Sequence, residues 1–280
     1  MNEATSNWHT RAVHHIRAGR YESGFAEFEG RPRRRELRQR FSKPEWSGDA
    51  LAGRRLLVWG EQGLGDEIQM ARFLPALRRL GASRITLACS RPNMRLLAGL
   101  GAAEVIGDRA KGFAADYDCW VGLLSLPHRL GVTRETLSGA PYLRCRDVRR
   151  TGGIGLVWRG NPDFADDRLR SMSSPNLLAA AFPDGEFLQP AGDMLDSAHK
   201  LLSLDALVTT DTSWAHLAGA LGVRTFVLVS DEYPEWRWGG EGDRTPWYDS
   251  ITVCRQDAPG DWRSAVHKAA RQLGRGFGAT

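Results

Sequence analysis

A chain of 280 residues, 42% hydrophobic and 25% charged, is long enough for two domains of ~100–150 residues that each bury a core. No run of ~18 apolar residues occurs, which excludes a membrane-spanning helix, and the polar start MNEATSNWHTRAVHH lacks a signal core, so a cytoplasmic location is expected. Residues 1–55 hold twelve Lys/Arg against seven Asp/Glu and so carry the whole formal net charge of +5, with no nucleic-acid recognition motif beside them.

In chain order, Trp8–Ile16 and Tyr21–Glu29 read as a short helical hairpin bent at Gly19. Repeat arrays need about three such units to bury a continuous core, so a single one must lean on the next domain or on another chain. Residues 1–53 thus form a repeat-like hairpin and a linker, Pro32 to Gly53, with Trp46 as its anchor. The run Arg31-Pro32-Arg33-Arg34-Arg35, followed by Arg38 and Arg40, reads first as a solvated face. Its alternative is a patch for an anionic acceptor, a membrane surface or nucleic acid, the last disfavoured because no recognition motif accompanies it; residues 1–53 could also meet a protein partner or a second copy of the chain.

Residues 54–150 alternate strand signals (Leu56–Trp59, Ile85–Cys89, Glu104–Ile106, Asp118–Leu123) with helix signals (Ile68–Leu80, Asn93–Leu100). Residues 151–280 do the same. Their strands are Ile154–Trp158, Glu186–Leu188, Ala206–Thr210, Val223–Ser230 and Ile251–Cys254. Their helices are Pro175–Phe182, Asp196–Ser203, Trp214–Leu221 and Trp262–Leu273. The pattern predicts an α/β protein with two parallel, helix-covered sheets. Four cysteines, Cys89, Cys119, Cys145 and Cys254, have no CxxC spacing, which argues against a zinc site and suits a reducing compartment.

The stretch Glu61-Gln62-Gly63-Leu64-Gly65-Asp66-Glu67-Ile68-Gln69 follows a strand and opens a helix. Two glycines let the backbone turn tightly and approach a ligand, and a helix N-terminus offers unpaired N–H groups. Asp66 then stands at the mouth of a strand–loop–helix crevice, where open α/β sheets bind ligands; the same position suits a helix cap. Asp211-Thr212-Ser213 begins a second unit of this kind, with Thr212 or Ser213 as cap and Gly222 closing the helix. Its first N–H groups form a seat for phosphate. His216, one turn in, reads either as a packing residue or as a catalyst.

These segments carry a resemblance. EQGLGDEIQMARFLPAL (61–77) looks like the acceptor-side motif of heptosyltransferase-like glycosyltransferases, closest to the branch with N-terminal tetratricopeptide repeats. GLVWRGNP (155–162), with Arg168 and Arg170, resembles the start of that family's nucleotide-sugar domain. DTSWAHLAGALGV (211–223) is similar to its diphosphate-binding turn, EWRWGGEGDRTPWY (235–248) to its Trp-rich closing segment, and GRYESGFAEFEGR (19–31) to the end of a repeat region. The resemblance implies two Rossmann-like domains facing across a cleft, the GT-B arrangement, behind a truncated repeat stub.

It also implies a function: inverting transfer of a sugar from a nucleotide-sugar donor to a glycan or protein acceptor. Asp66 would be the general base, with Gln62, Gly63, Gly65 and Gln69 in the acceptor-side loop. Asn161, Arg168, Arg170, Asp211, Thr212, Ser213, His216 and Trp236 would bind the nucleotide-sugar. No obligatory metal or other cofactor is expected. Asn161 equally suits ordinary turn chemistry, and Trp238 and Trp247 read as core or as pocket lining.

Asp116-Tyr117-Asp118 spells the DxD of metal-dependent glycosyltransferases but lies far from the donor motifs, and reads as structural. Gly63-Leu64-Gly65 is a partial dinucleotide fingerprint lacking its third glycine, which leaves an NADP reductase as a remote alternative. The segments 143–154 and 188–200 are short for the family. A non-catalytic binding module on a trimmed glycosyltransferase fold is therefore the competing reading.

Overall fold

A computed structural model describes residues 3–107, 116–146, 148–189, 192–233 and 235–276, with side chains from Trp8 onward. Pro190 and Ala191, within the shortened segment 188–200, lie outside the described residues. The chain divides into two compact units. One comprises residues 1–137, 142–144 and 192–195; the other comprises 138–141, 145–191 and 196–280.

In the first unit, β1 (Arg55–Trp59), β2 (Arg84–Ala88), β3 (Glu104–Ile106) and β4 (Cys119–Gly122) form a parallel sheet in the order β3-β2-β1-β4. Leu57 stands between Thr86 and Trp120 in register. The apolar runs of β1, β2 and β4 are buried almost throughout, as a sheet covered on both faces requires. The connections run outward from β1 and then return to its other side. The switch point therefore falls between β1 and β4, where loops beyond the strand ends make a crevice.

The predicted helix Ile68–Leu80 is two helices, Leu64–Ala71 and Leu74–Arg79. Pro75 explains the break: it has no N–H, and in a continuous helix its ring would strike the Ala71 carbonyl. The first helix also begins earlier than expected. Gly65 and Gln69 consequently lie in the helix and not in a loop.

Helices Glu3–Arg17 and Tyr21–Phe28 form the N-terminal hairpin, with Gly19 between them at φ +77°. The linker expectation fails over Pro32–Arg40, which is a third helix. Its charges hide any apolar period, but Pro32 pre-sets the first turn and Leu37 is fully buried. Leu37 and Phe41 join Leu57, Trp59, Tyr117 and Trp120 in one cluster, with the Phe41 and Trp120 rings 4.6 Å apart. Trp46 is buried, and its N–H bonds the Trp120 carbonyl at 2.7 Å. The third helix and the segment after it therefore lean on the first sheet, while hairpin helix Tyr21–Phe28 packs near helix Leu126–Arg129 of the same unit.

In the second unit, β5 (Ile154–Val157), β6 (Glu186–Phe187), β7 (Ala206–Thr210), β8 (Thr225–Val229) and β9 (Ile251–Arg255) are parallel in the order β6-β5-β7-β8-β9. Here the switch point lies between β5 and β7. Leu156, Val208 and Phe226 pack with Leu178, Phe182 and Ala265 in the core. Helix Ser213–Leu221 ends at Gly222 in the left-handed conformation, φ +76°, as its sequence predicts. All four cysteines are free thiols. Among the described residues, no helix is long and apolar enough to cross a membrane.

Candidate functional site

Two switch points give two clusters of predicted residues, one in each unit. In the first, Gly63 is the N-cap of helix Leu64–Ala71, and half-buried Asp66 reaches back to accept its N–H at 3.0 Å. Capping is thus a role Asp66 visibly performs. Gln62 is exposed beside it, and Gln69 is fully buried on the next turn. Neither Gly63 nor Gly65 adopts a positive φ, so the turn does not use them as expected. The glycine that the geometry demands is Gly60: a Cβ there would lie 2.4 Å from Glu67 Oε1 and 3.1 Å from the Ala88 carbonyl.

Two buried carboxylates of the same motif, Glu61 and Glu67, flank Asp66, and neither is among the predicted site residues. Glu67 accepts from the Ser90 N–H and hydroxyl at 3.0 Å and from Asn93 Nδ2 at 2.8 Å, tying the helix to the loop after β2. Glu61 meets the guanidinium of Arg31 at 3.0 and 2.8 Å and accepts the Leu124 N–H at 3.2 Å. This corrects the expectation of a solvated basic face at its most N-terminal member, since Arg31 is 1% exposed. Arg34 is likewise engaged, with Glu45 at 2.7 Å and Glu29 at 3.2 Å. A signal existed in both cases. Glu61 opens the motif, and Arg31 is the one arginine of the run that precedes its proline.

In the second unit, the loop after β5 is pinned at its neck. The Met172 N–H bonds the Trp158 carbonyl at 3.0 Å, and buried Asp167 accepts from Ser171 Oγ at 2.9 Å and Arg170 Nε at 3.3 Å. Arg170 also lies 4.5 Å over the Phe164 ring. Asn161 Oδ1 accepts the Asp163 N–H at 3.1 Å, an Asx turn on the exposed side of the loop. Arg168 is exposed, whereas Arg170 is close enough to buried Asp211 to act on its ionisation. Of the two arginines, Arg170 is the one the fold turns towards the switch point.

Across that point, after β7, Thr212 is the N-cap of helix Ser213–Leu221 but makes no side-chain cap. Its hydroxyl instead meets Thr209 Oγ1 at 3.1 Å. The expected threonine cap is therefore absent, and the hydroxyl is turned to a buried neighbour in β7 instead. Ser213 begins the helix, half-exposed. His216 is buried against Trp238, with ring centroids 5.3 Å apart.

The loop after β8 closes this cluster with groups outside the predicted set. Arg237 pairs with Glu235 at 2.8 Å and lies 4.1 Å over the buried ring of Trp236. Burial, and secondarily Glu235, pushes the Asp211 carboxyl up to about 6, against the pull of Arg170 and Arg237. Burial likewise raises the Tyr233 phenol, with Glu235 and Asp211 adding to it. Two guanidinium groups and a reluctantly ionised carboxyl thus gather beside a helix N-terminus. An arrangement of that kind suits a phosphate-bearing ligand.

The carboxylates of the DxD sequence lie at the opposite, N-terminal edge of the first sheet. Asp118 bonds the Arg55 side chain at 2.6 Å and its N–H at 2.8 Å, and Asp116 pairs with Arg55 and Arg84. Hydrogen bonding to Arg55 holds the Asp118 carboxyl far below its usual range. Both carboxylates are committed to the start of the strands.

Comparison with known proteins decides the architecture. The fold is that of the GT-B heptosyltransferases. E. coli heptosyltransferase WaaC with ADP matches with a TM-score of 0.51 at 13% identity, over 78% of this chain and 98% of its own. A family 9 glycosyl transferase from Veillonella parvula gives 0.53 at 13% identity, over 82% and 92%. The iron-containing dodecameric glycosyltransferase TibC of enterotoxigenic E. coli gives 0.55 at 12% identity, over 77% and 66%. In sequence, Protein FlbA of Caulobacter vibrioides is 26% identical over 303 residues, covering 86% of this chain. The chain spans 50% of FlbA's length. No family model matches.

Proposed function

We propose that this chain is an inverting glycosyltransferase that moves a sugar from a nucleoside-diphosphate donor to a hydroxyl of a glycan or protein acceptor. The observation that carries this reading is the gathering of Arg170, Arg237 and Asp211 around the start of helix Ser213–Leu221 at the switch point of the second sheet. Arg170 and the first helical N–H groups receive the diphosphate, and Trp236 backs Arg237 from the protein side. Asn161, Thr212 and Ser213 sit on the loops that border the nucleotide, with Arg168 at the outer edge of the loop after β5.

On the acceptor side, Asp66 takes the proton of the attacking hydroxyl while Gln62 and Gly63 border the acceptor. The acceptor oxygen bonds the anomeric carbon as the bond from that carbon to the diphosphate oxygen breaks. The diphosphate leaves with the electron pair, its charge met by Arg170 and the helix dipole. No step needs a metal. The N-terminal helices fit the last unit of a tetratricopeptide region, and four free thiols suit a reducing compartment.

The competing reading, a binding module without turnover, draws on the capping bond between Asp66 and Gly63, which occupies the proposed base. Two measurements separate them. A thermal-shift titration against ADP-, UDP-, GDP-, CMP- and dTDP-sugars, with and without magnesium, tests the donor site, because a ligand for the folded state stabilises it by mass action. ADP-sugars come first, given the ADP in the matched heptosyltransferase structure. Asp66→Asn then keeps a side-chain oxygen for the Gly63 N–H but removes the base. Under the transferase reading it retains its melting temperature and donor affinity and loses turnover by about 10²–10⁴-fold. Silence across the donor panel from folded protein would favour the binding module.

A further inference from the structure

At the switch point of the first sheet, a side chain from outside the α/β fold occupies the space between the two bordering loops. Arg31 follows the N-terminal hairpin, and its guanidinium uses all five N–H groups. Nε and Nη2 grip Glu61 at 3.0 and 2.8 Å, in the loop after β1. Nη2 also bonds Ser125 Oγ at 2.7 Å, in the turn after β4. Nη1 bonds Glu29 Oε1 at 2.9 Å and the Phe28 carbonyl at 3.2 Å. Ser125 Oγ closes the circuit by donating to Glu29 at 2.7 Å. The end of β4 is shaped around this pair. A Cβ on Gly122 would fall 2.3 Å from Glu61 Oε2 and 2.9 Å from Arg31 Nη2.

Segment 60–67 is held at three points. Glu67 fastens its far end to Ser90 and Asn93, and Asp66 caps Gly63 in the middle. The near end is held by Glu61, whose carboxylate is fully enclosed and bonded by Arg31 and Leu124. We propose that Arg31 is a positioning residue for the acceptor-side loop: it fixes Glu61, and through Glu61 the turn that presents Asp66, so that the N-terminal helices are a working part of the acceptor site. This rests on the reading of Asp66 as the base. A lysine could supply the charge but not the planar fork that spans Glu61, Ser125 and Glu29 at once.

Removing Arg31 alone would strand a buried carboxylate and could unfold the unit. The informative variants of the full chain are therefore Arg31→Lys and the double replacement Arg31→Met with Glu61→Leu. The double variant removes both buried charges, a change that often leaves stability intact. Three readouts are taken on each: melting temperature, amide hydrogen exchange across residues 60–66, and steady-state kinetics.

The expected result is a folded double variant whose 60–66 amides exchange at least about tenfold faster as the loop opens locally. Its kcat falls by about tenfold to 10²-fold, the scale of a small misplacement at a reacting group, while the donor KM stays within about twofold. Arg31→Lys shows the same pattern more weakly. Unchanged exchange in the double variant overturns the proposal, as does recovery of kcat along with stability. Asp66→Asn, run in parallel, tests the underlying reading separately. If it keeps full turnover, or no donor supports turnover, the base assignment fails, and hydrogen exchange still decides whether Arg31 holds the loop.

Discussion

The Tyr248 hydroxyl lies 2.9 Å from His216 Nδ1, and both residues are buried. The bond joins the segment before β9 to the first turn of helix Ser213–Leu221, and Trp238 stacks on the imidazole. His216 therefore has a structural duty whatever else it touches. Tyr248→Phe leaves a buried ring nitrogen without its hydroxyl partner and should cost about 1–3 kcal/mol. Urea denaturation measures this; an unchanged midpoint would mean that the pair contributes nothing to folding.

Asp211 sets a pH dependence. Its folded carboxyl titrates near 6, above the ordinary carboxylate value of about 3.9. The folded state thus holds a proton that the unfolded chain has already released. The stability this lends is complete below about pH 4 and is lost as pH rises through about 6. Asp211→Asn cannot ionise, so its denaturation midpoint should lose that decline and equal or exceed wild type above pH 6. A wild-type profile that instead rises between pH 4 and 6, with the variant parallel to it, would refute the assignment.

Gly222 is constrained twice, by a φ of +76° and by Pro141 Cγ at 2.6 Å from where a Cβ would stand. Gly222→Ala meets both the left-handed penalty and a steric one, and should destabilise by about 1–3 kcal/mol. Calorimetry would show this as a lowered melting temperature. Gly53→Ala is a useful comparison, since φ there is +72° with nothing near the added methyl. The excess loss at Gly222 isolates the Pro141 contact.

Asp116 and Asp118 make the converse case. Tied to Arg55 and Arg84 at the N-terminal edge of the sheet, they should be irrelevant to the donor. Asp116→Asn with Asp118→Asn should leave nucleotide-sugar affinity and its response to magnesium unchanged, while weakening the fold above the acid range. Titration calorimetry with and without magnesium checks the first point. A loss of affinity only in magnesium would return the DxD to the site.

The strands were legible because each is a short apolar run with glycine or charge at its ends, as in Glu104–Ile106 and Ala206–Thr210, where sequence and structure agree residue for residue. Helix Pro32–Arg40 was not, because one buried leucine among arginines makes no period. In the candidate site, Asp66, Asp211 and Arg170 were legible through motifs that keep their neighbours within a few positions. Arg31, Glu61, Glu235 and Arg237 lie inside the same segments, but nothing beside them in sequence assigns them a place in the site. Arg31 meets Ser125 across 94 positions, and no local pattern records a partner that distant.

That separation has a consequence for synthesis. At about 5–20 residues per second, Ser125 follows Arg31 out of the ribosome by about 5–19 s. Glu61 and the tryptophan of β4 arrive inside that interval, so Arg31 cannot complete its ring of partners until the turn after β4 has been made. During that wait, Leu37 and Phe41 lack the Trp120 ring they pack against, and Arg31 holds only its near neighbours Phe28 and Glu29.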